Sequence, residues 1–361
     1  MTISAIEQNP SPPQKTKKYR ALGLLSGGLD SILATRLLLE QGIEVECVNF
    51  YTGFCIQSHT SAIRNPKEGK PPPRHDALYA AESLGVRLHM VDISEEYIQI
   101  VTNPRYGYGK NLNPCLDCKI FMVRKAWDMK EEMGFDFLFT GEVVGERPMS
   151  QRRDTMPLIE REAGVKGWLL RPLCALTLPE TEPEKRGMVD RSRLHNITGR
   201  SRKLQIALAD AFGIADYPTP AGGCCFLTDE NYTRRLQDLW DTRQTKIYSL
   251  DDILLLKAGR HLRLAPNYKM IVGRDQSENN FLTGFQQGRF LLHALHVPGP
   301  TALVEGAPDY TDLAMACRIL ARFGKGRDAS QVMVQVKGGE KEELFHVVPM
   351  SAQEFREEWY I

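Results

Sequence analysis

Two groups of residues carry chemistry in this chain. The first is Ser26-Gly27-Gly28-Leu29-Asp30-Ser31, set between the apolar run 21–25 and a helix-like run, 32–39. Two glycines let a backbone close around an anion, the first N–H groups of a helix point at it, and Ser26 and Ser31 add hydroxyl donors. The spacing predicts a phosphate cradle where a buried parallel strand turns into a helix. It is not a Walker loop, because the Gly-x-x-x-x-Gly-Lys spacing is absent and no lysine follows the glycines. The second group is Asn113-Pro114-Cys115-Leu116-Asp117-Cys118, ahead of a helix-like run at 119–132, with adjacent thiols far downstream at Cys224 and Cys225. A C-x-x-C opening a helix places two sulfurs on one side of a turn, where the helix N-terminus favours thiolate. Three chemistries fit. With Cys224, Cys115 and Cys118 would hold three irons of a 4Fe-4S cluster and leave the fourth open to sulfide or substrate; this is the chemistry the pattern favours. With both Cys224 and Cys225 the site would be tetrahedral zinc. Without metal, Cys115 or Cys118 would carry a persulfide and Cys224 would resolve it as a disulfide. Cys47, Cys55, Cys174 and Cys317 stand alone in apolar settings and read as core.

The elements that must position these groups follow from the apolar runs. Strand-like runs recur at 21–25, 45–50, 87–91, 135–139 and 168–173, with helix-like segments between them. Such alternation implies an α/β fold with a doubly wound parallel sheet, Rossmann-like, whose ligand lies beyond the strand C-termini. There the Ser26 loop and Thr140-Gly141-Glu142 converge. Residues 1–19 read as a flexible N-terminal tail, 20–215 as the nucleotide-binding domain, 216–246 as a linker with the third cysteine and a helix around 232–240, and 247–361 as a smaller α+β domain. The polar, proline-rich stretch 58–74 reads as a flexible insertion.

Bulk properties set wider limits. A chain of 361 residues with 46 Lys and Arg against 45 Asp and Glu is near neutral, which neither requires nor excludes a nucleic-acid partner. No apolar leader or membrane-length apolar run is present, so the expectation is a cytoplasmic protein without a membrane partner. Eight cysteines without an export sequence point to thiol, metal or redox chemistry rather than a disulfide framework. Nothing in the sequence sets an oligomeric state.

S-G-G-L-D-S resembles the signature of the PP-loop ATP pyrophosphatases, which cleave ATP between its α and β phosphates and activate a carbonyl oxygen as an adenylate. The resemblance implies ATP and Mg2+ as cofactors, with Asp30 helping to hold magnesium and pyrophosphate. Phe137 to Gln151, reading F-L-F-T-G-E-V-V-G-E-R-P-M-S-Q, and Leu170-Arg171-Pro172-Leu173 resemble tRNA 4-thiouridine synthases, whereas Asn113-Pro114-Cys115 resembles the N-P-C of tRNA 2-thiouridylases. Together these motifs cover about residues 20 to 230 and imply a tRNA sulfurtransferase, with 4-thiouridine favoured over 2-thiouridine. Ser26, Gly27, Gly28, Asp30, Ser31, Thr140, Gly141 and Glu142 would bind nucleotide. Asp30, Cys115, Cys118 and Cys224 would be catalytic. The partners implied are tRNA and a sulfur donor, either inorganic sulfide or a persulfide carrier.

The segment before Lys18 is too short for the RNA-binding domains that precede the catalytic domain in classical 4-thiouridine synthases. Residues 272–283, 296–300 and 321–327 resemble instead the RNA-binding domain of the NFACT ribosome-quality-control proteins. A cluster of Lys257, Arg260, His261, Arg263, Lys269 and Arg274 with Tyr268 suits phosphate contacts and one stacking group, with Arg260, Arg263 and Arg274 as the RNA-binding residues. A second basic stretch runs from Lys185 to Lys203. Two other readings remain open at the level of sequence. A PP-loop amidating ligase would explain the cradle but leave the cysteines idle. A noncatalytic RNA-binding protein would explain the C-terminal part but not an intact cradle.

Overall fold

A computed structural model describes residues 18–56, 75–218, 224–339 and 341–361. Residues 1–17 of the N-terminal tail, the whole 58–74 insertion, and Pro220, Gly222 and Gly223 therefore lie outside the described residues.

Five strands form one parallel sheet: β1 (Arg20–Leu24), β2 (Glu44–Tyr51), β3 (Arg87–Asp92), β4 (Phe137–Thr140) and β5 (Leu169–Leu170), in the order β3-β2-β1-β4-β5. The strand runs expected from the sequence are present, although the last shrinks to two residues before the chain turns away. Helices cover both faces. Helix α1 (Leu29–Leu39) is apolar around most of its circumference, as a helix held between a sheet and other helices must be. With α2 (Asp76–Leu84) it covers one face. Helices α3 (Ser94–Thr102) and α4 (Cys115–Met133), with α5 (Thr155–Ala163) beside them, cover the other. A further helix, α6 (Lys203–Ala211), returns to pack on α1. Strand order reverses between β1 and β4, so the crevice at their C-terminal ends is the place where an open sheet of this type admits a ligand.

Helix α7 (Glu230–Arg243) and the short α8 (Leu250–Leu255) lead to a six-stranded antiparallel sheet. Its strands are β6 (Arg260–Ala265), β7 (Tyr268–Val272), β8 (Phe290–Ala294), β9 (Thr301–Gly306), β10 (Val332–Gly338) and β11 (Lys341–Val347), in the order β11-β10-β8-β9-β7-β6. Helix α9 (Gln276–Thr283) lies on one face and α10 (Tyr310–Phe323) on the other. The chain is thus a Rossmann-like α/β domain followed by a separate antiparallel α+β domain.

The two domains share a junction. Tyr232, Leu236, Trp240, Tyr248 and Ile253 are buried in the same core as Phe54 and Tyr97 of the first domain. The Phe54 ring lies 5.8 Å from that of Tyr248 and 6.1 Å from that of Tyr232. Lys257, just before β6, is 5 % exposed and donates to the Gly53 carbonyl. Among the described residues no helix is long and apolar enough to cross a membrane.

Candidate active site

The Ser26 loop turns as its residue types require. Gly27 takes a left-handed φ of +81°, and a Cβ there would stand 2.4 Å from the Asp76 backbone at the start of α2. Gly28 is the N-cap of α1 and has no side chain to cover the helix end. Ser31 Oγ donates to the Gly28 carbonyl at 2.8 Å and lies 3.3 Å from Ser26 Oγ, so both hydroxyls are gathered at one turn. A Cβ on Gly141 would stand 2.5 Å from the Asp30 and Ser31 backbone. The loop after β4 therefore rests directly on the first turn of α1, and the two loops expected to converge do so.

Asp30 is accompanied by residues that sequence reasoning passed over. Burial raises its carboxyl above the ordinary range against the opposing pull of Arg202, Gln205, Glu146 and Arg147. Glu146 is pushed up to about 7, first by burial and then by the Asp30 charge. Asp30 Oδ1 and Glu146 Oε2 are both buried and make no close hydrogen bond among the described residues. Two neighbouring carboxylates with uncommitted oxygens fit a hard divalent cation such as Mg2+, which takes one or two carboxylates and completes its shell with water and phosphate oxygens. Glu146 lies between Gly145 and Ser150 of the segment T-G-E-x-x-G-x-x-x-x-S-Q, while Arg202 is the N-cap of α6 and Gln205 lies in its first turn, so only the fold brings them to Asp30.

Cys115 is the first residue of α4, and the Cys118 N–H closes that turn on the Pro114 carbonyl at 2.8 Å. Asp117, between them, accepts from the Arg105 and Tyr106 N–H groups, both at 3.0 Å, and so fixes the loop that approaches the helix end. Cys224 and Cys225 dock over this end. Cys225 forms a backbone bridge with Cys55, the Phe226 N–H donates to the Phe54 carbonyl at 2.9 Å, and Cys225 Sγ lies 3.7 Å from Asn113 Oδ1. The structure thus brings Cys115, Cys118 and Cys224 within electrostatic reach of one another. They are chemically unequal. Burial raises Cys115 and pushes Cys118 up to about 12. Cys224 is pulled down to about 6, first by a hydrogen bond from Cys225 and then, against burial, by Lys119 and Arg147. Cys225 is raised in turn. Cys47, Cys174 and Cys317 are fully buried, as expected, while Cys55 is half-buried.

The four-iron cluster and the zinc site expected from the cysteine pattern find no support. Among the described residues no three His, Cys, Asp or Glu side chains are grouped closely enough to hold a metal ion. The Cys225 backbone bridges to Cys55, and its thiol is engaged in a hydrogen bond to Cys224. This geometry suits thiol relay chemistry.

Glu142, expected among the nucleotide ligands, is drawn into a buried ion network. It is 3 % exposed, with Lys119 Nζ 3.3 Å from one carboxylate oxygen and both Arg171 Nε and Thr140 Oγ1 3.1 Å from the other. Arg171, 2 % exposed, continues the chain to Glu160. The T-G-E and L-R-P-L motifs are therefore two halves of one buried ion network, and Gly141 rests on the cradle by backbone contact.

The basic cluster of the C-terminal domain is rearranged in space. Lys257, His261, Lys269 and Tyr268 are buried, and Lys269 is paired with Glu305 at 3.6 Å. Arg263, expected to contact RNA, is engaged by Asp238 of α7 through two hydrogen bonds of 3.0 and 2.6 Å, which tie the sheet to the junction. β7 is buried along its whole length between α9 and α10, which takes Tyr268 and Lys269 out of the surface, while Arg260 and Arg263 of β6 are half-buried. Arg260 and Arg274 remain at the surface side, Arg274 in an ion pair with Glu278. In the 185–203 stretch, Lys185 and Arg186 pair with Glu182, and Arg191 with Glu184. Arg202 alone of that stretch reaches Asp30.

Comparison with known proteins agrees with these two halves. Residues 20–160 match the tRNA methyl transferase HUP domain family, and residues 259–360 match the NFACT protein RNA binding domain family. The tRNA-specific 2-thiouridylase MnmA of Syntrophotalea carbinolica is 34% identical over 131 residues, 35% of this chain and 35% of the relative. That of Petrotoga mobilis is 26% identical over 242 residues, 64% of this chain and 62% of the relative. A solved 4-thiouridine synthetase–RNA complex with bound ATP aligns at 20% identity and a TM-score of 0.33, over 53% of this chain and 50% of that one. The chain spans about a third of the length of the first of these relatives. The resemblance read from the motifs, a PP-loop tRNA thiolation enzyme followed by an NFACT-type RNA-binding domain, is borne out.

Proposed function

We propose that this protein is an ATP-dependent tRNA sulfurtransferase that adenylates a uracil carbonyl oxygen and replaces that oxygen with sulfur carried on Cys224, in the cytoplasm. One observation carries the reading: Arg147 lies within electrostatic reach of both the Asp30 carboxyl and the Cys224 thiol, so the phosphate cradle and the most acidic thiol face one crevice.

The N–H groups at the start of α1 and the Ser31 hydroxyl hold the triphosphate, and Asp30 with Glu146 would hold magnesium, which neutralises charge on the departing pyrophosphate. The uracil oxygen attacks the α-phosphorus, the bond to the β-phosphate oxygen breaks, and the base becomes an adenylate. For this the uridine leaves its stack. Cys224, whose acidity is raised by Cys225, Lys119 and Arg147, is the thiol best suited to accept a sulfur atom from an external persulfide carrier. The terminal persulfide sulfur attacks the activated ring carbon and AMP leaves. Cys115 then attacks Cys224 Sγ, which releases sulfur on the base and forms a Cys115–Cys224 disulfide. An external dithiol reduces it for the next cycle. This order reverses the roles expected from sequence, where Cys115 or Cys118 carried the sulfur.

The preferred position also moves. The T-G-E to S-Q segment favoured carbon 4, yet its glutamate and threonine belong to a buried network rather than to the substrate. The named relatives are 2-thiouridylases, and N-P-C lies against the Cys224-Cys225 pair, so carbon 2 is the better assignment. Digestion of tRNA after incubation with ATP and a persulfide donor, followed by mass spectrometry against both thiouridine standards, tests the reaction and its position together. Absence of either nucleoside, with ammonia-dependent AMP release in its place, would favour an amidating ligase.

A further inference from the structure

Cys55 and Lys257 have no part in the reaction above, yet the fold places them together beside its thiols. Cys55 lies just beyond β2, and its backbone bridges antiparallel to that of Cys225. The hydrogen bond from the Phe226 N–H to the Phe54 carbonyl, 2.9 Å long, flanks this pair and does not join it, so the two cysteines oppose each other as a non-hydrogen-bonded pair. Residues so opposed have Cα atoms ~4.5 Å apart and side chains on one face of the ribbon, inside the ~4.4 to 6.8 Å that a disulfide spans. The backbone of Cys55 and Cys225 thus already has the spacing a disulfide requires.

The surroundings fit Cys55 for exchange. Lys257 is 5 % exposed, and the only charged partner that acts on its ammonium is the Cys55 thiol. Its Nζ donates to the Gly53 carbonyl and stands 5.2 Å over the Phe226 ring. A buried ammonium without a carboxylate is costly, and a thiolate on Cys55 supplies the missing counter-ion. Thr52 Oγ1, 3.4 Å from Cys55 Sγ, adds a hydroxyl beside that sulfur. On the other side, Cys225 is hydrogen-bonded to Cys224, which lies within electrostatic reach of Cys115. Cys55, Cys225, Cys224 and Cys115 therefore run in series from the domain junction to the C-x-x-C pair. The bond to Cys224 is also the first cause that raises the Cys225 thiol. It is lost once Cys224 Sγ is joined to Cys115, which leaves Cys225 free to attack.

We propose that Cys55 is a further working thiol, the exit by which the oxidation left by sulfur transfer is carried off the Cys115–Cys224 pair. The proposal rests on the thiol relay of the sulfurtransferase reading. Cys225 Sγ attacks Cys224 Sγ, the Cys115–Cys224 bond breaks, and Cys115 leaves. Cys55 Sγ then attacks Cys225 Sγ, the short-lived Cys224–Cys225 bond breaks, and Cys224 leaves. Each thiol freed takes up the proton of the thiol that attacked, and one disulfide is exchanged for another without oxidant or reductant. Cys224 and Cys115 are restored together, and the external dithiol meets a Cys55–Cys225 disulfide.

The experiment uses the full chain in two arms. In the first, the reduced protein without ATP or tRNA is equilibrated with oxidised glutathione, blocked with N-ethylmaleimide and digested without reduction, and mass spectrometry reads the linked peptides. The expected result is a Cys55–Cys225 link that persists in Cys224→Ser. A parent whose Cys55 is alkylated while the other thiols pair overturns the proposal and leaves the thiolation reading standing. In the second arm, Cys55→Ser receives tRNA, ATP and a persulfide donor. Its first turnover should match the parent, whereas later turnovers with dithiothreitol should slow severalfold as the Cys115–Cys224 disulfide accumulates. Later turnovers as fast as those of the parent overturn the exit. A parent that links Cys55 to Cys225 but makes no thiouridine overturns the sulfurtransferase reading and the exit with it, while the pairing itself stands.

Discussion

Lys119 Nζ stands 3.3 Å from Glu142 Oε1, which ties the residue after the C-x-x-C pair to the loop that rests on the first turn of α1. Burial alone would raise the Glu142 carboxyl, but Lys119 and Arg171 outweigh it and hold it below the usual carboxylate range. Replacing it by Gln leaves two buried cations facing a neutral amide. Glu142→Gln is expected to lower the unfolding free energy by about 3 kcal/mol, the scale of a broken buried ion pair, as measured by urea unfolding. A depressed carboxylate stabilises the fold above its unfolded pKa and loses that contribution as pH falls through the folded value. The parent should therefore lose stability on acidification more steeply than the variant.

Asp30→Asn should behave in the opposite way. Its carboxyl is already raised by burial, so the fold gains or loses little, whereas pyrophosphate release should fall by about 100-fold, the scale expected when one group stabilising the developing charge is removed. Pyrophosphate production with tRNA present is the readout. Near-normal rates would remove Asp30 from the nucleotide site.

Cys224 should react with iodoacetamide along a titration curve centred near pH 6, and Cys225→Ala should move that midpoint upward, because the Cys225 thiol donates the hydrogen bond that stabilises the thiolate. Mass spectrometry of the labelled peptide across pH 5 to 9 measures it. An unshifted midpoint in Cys225→Ala would assign the depression to Lys119 and Arg147 instead.

The thiol relay and the metal cluster separate on Cys118. Under the relay, Cys115→Ala and Cys224→Ala abolish thiolation while tRNA binding persists, and Cys118→Ala, whose thiol sits against the fully buried Tyr97, retains most activity. Under a cluster all three are equally required, since a cluster short of one thiolate is labile. Thiolation assays on the three variants, with iron and sulfide analysis after anaerobic purification, distinguish them.

Arg263→Ala is expected to loosen the junction between domains rather than the hold on RNA. It leaves Asp238 without its two hydrogen bonds, so thermal stability should drop while the salt slope of tRNA binding stays as in the parent.

The parallel sheet and the cradle were legible because strand, glycine turn and helix occupy consecutive residues, each with a local physical requirement. The meeting of Ser26 to Ser31 with Gly141 followed from strand order. What stayed hidden depends on side chains far apart in sequence. Glu146, Arg202 and Gln205 acquire meaning only when α6 packs on α1. Glu142 looked like a ligand because it follows a conspicuous Thr-Gly at a strand end, and only its burial beside Lys119 and Arg171 reveals a structural ion network. The basic run 257–274 misled for a similar reason: β7 lies between two cores and is buried on both faces, so cations counted along it are not surface charge, and exposed cations sit instead on the loop at 325–327.

The junction has one more consequence. Lys257 reaches back to the Gly53 carbonyl, Tyr232 Oη donates to the Ile253 carbonyl at 3.0 Å, and Arg263 grips Asp238. These ties make the C-terminal domain a fixed arm rather than a tethered hand. An RNA gripped by such an arm would meet the thiols at a distance that the junction sets, so the C-terminal domain would act as a ruler for the nucleotide presented to Cys224.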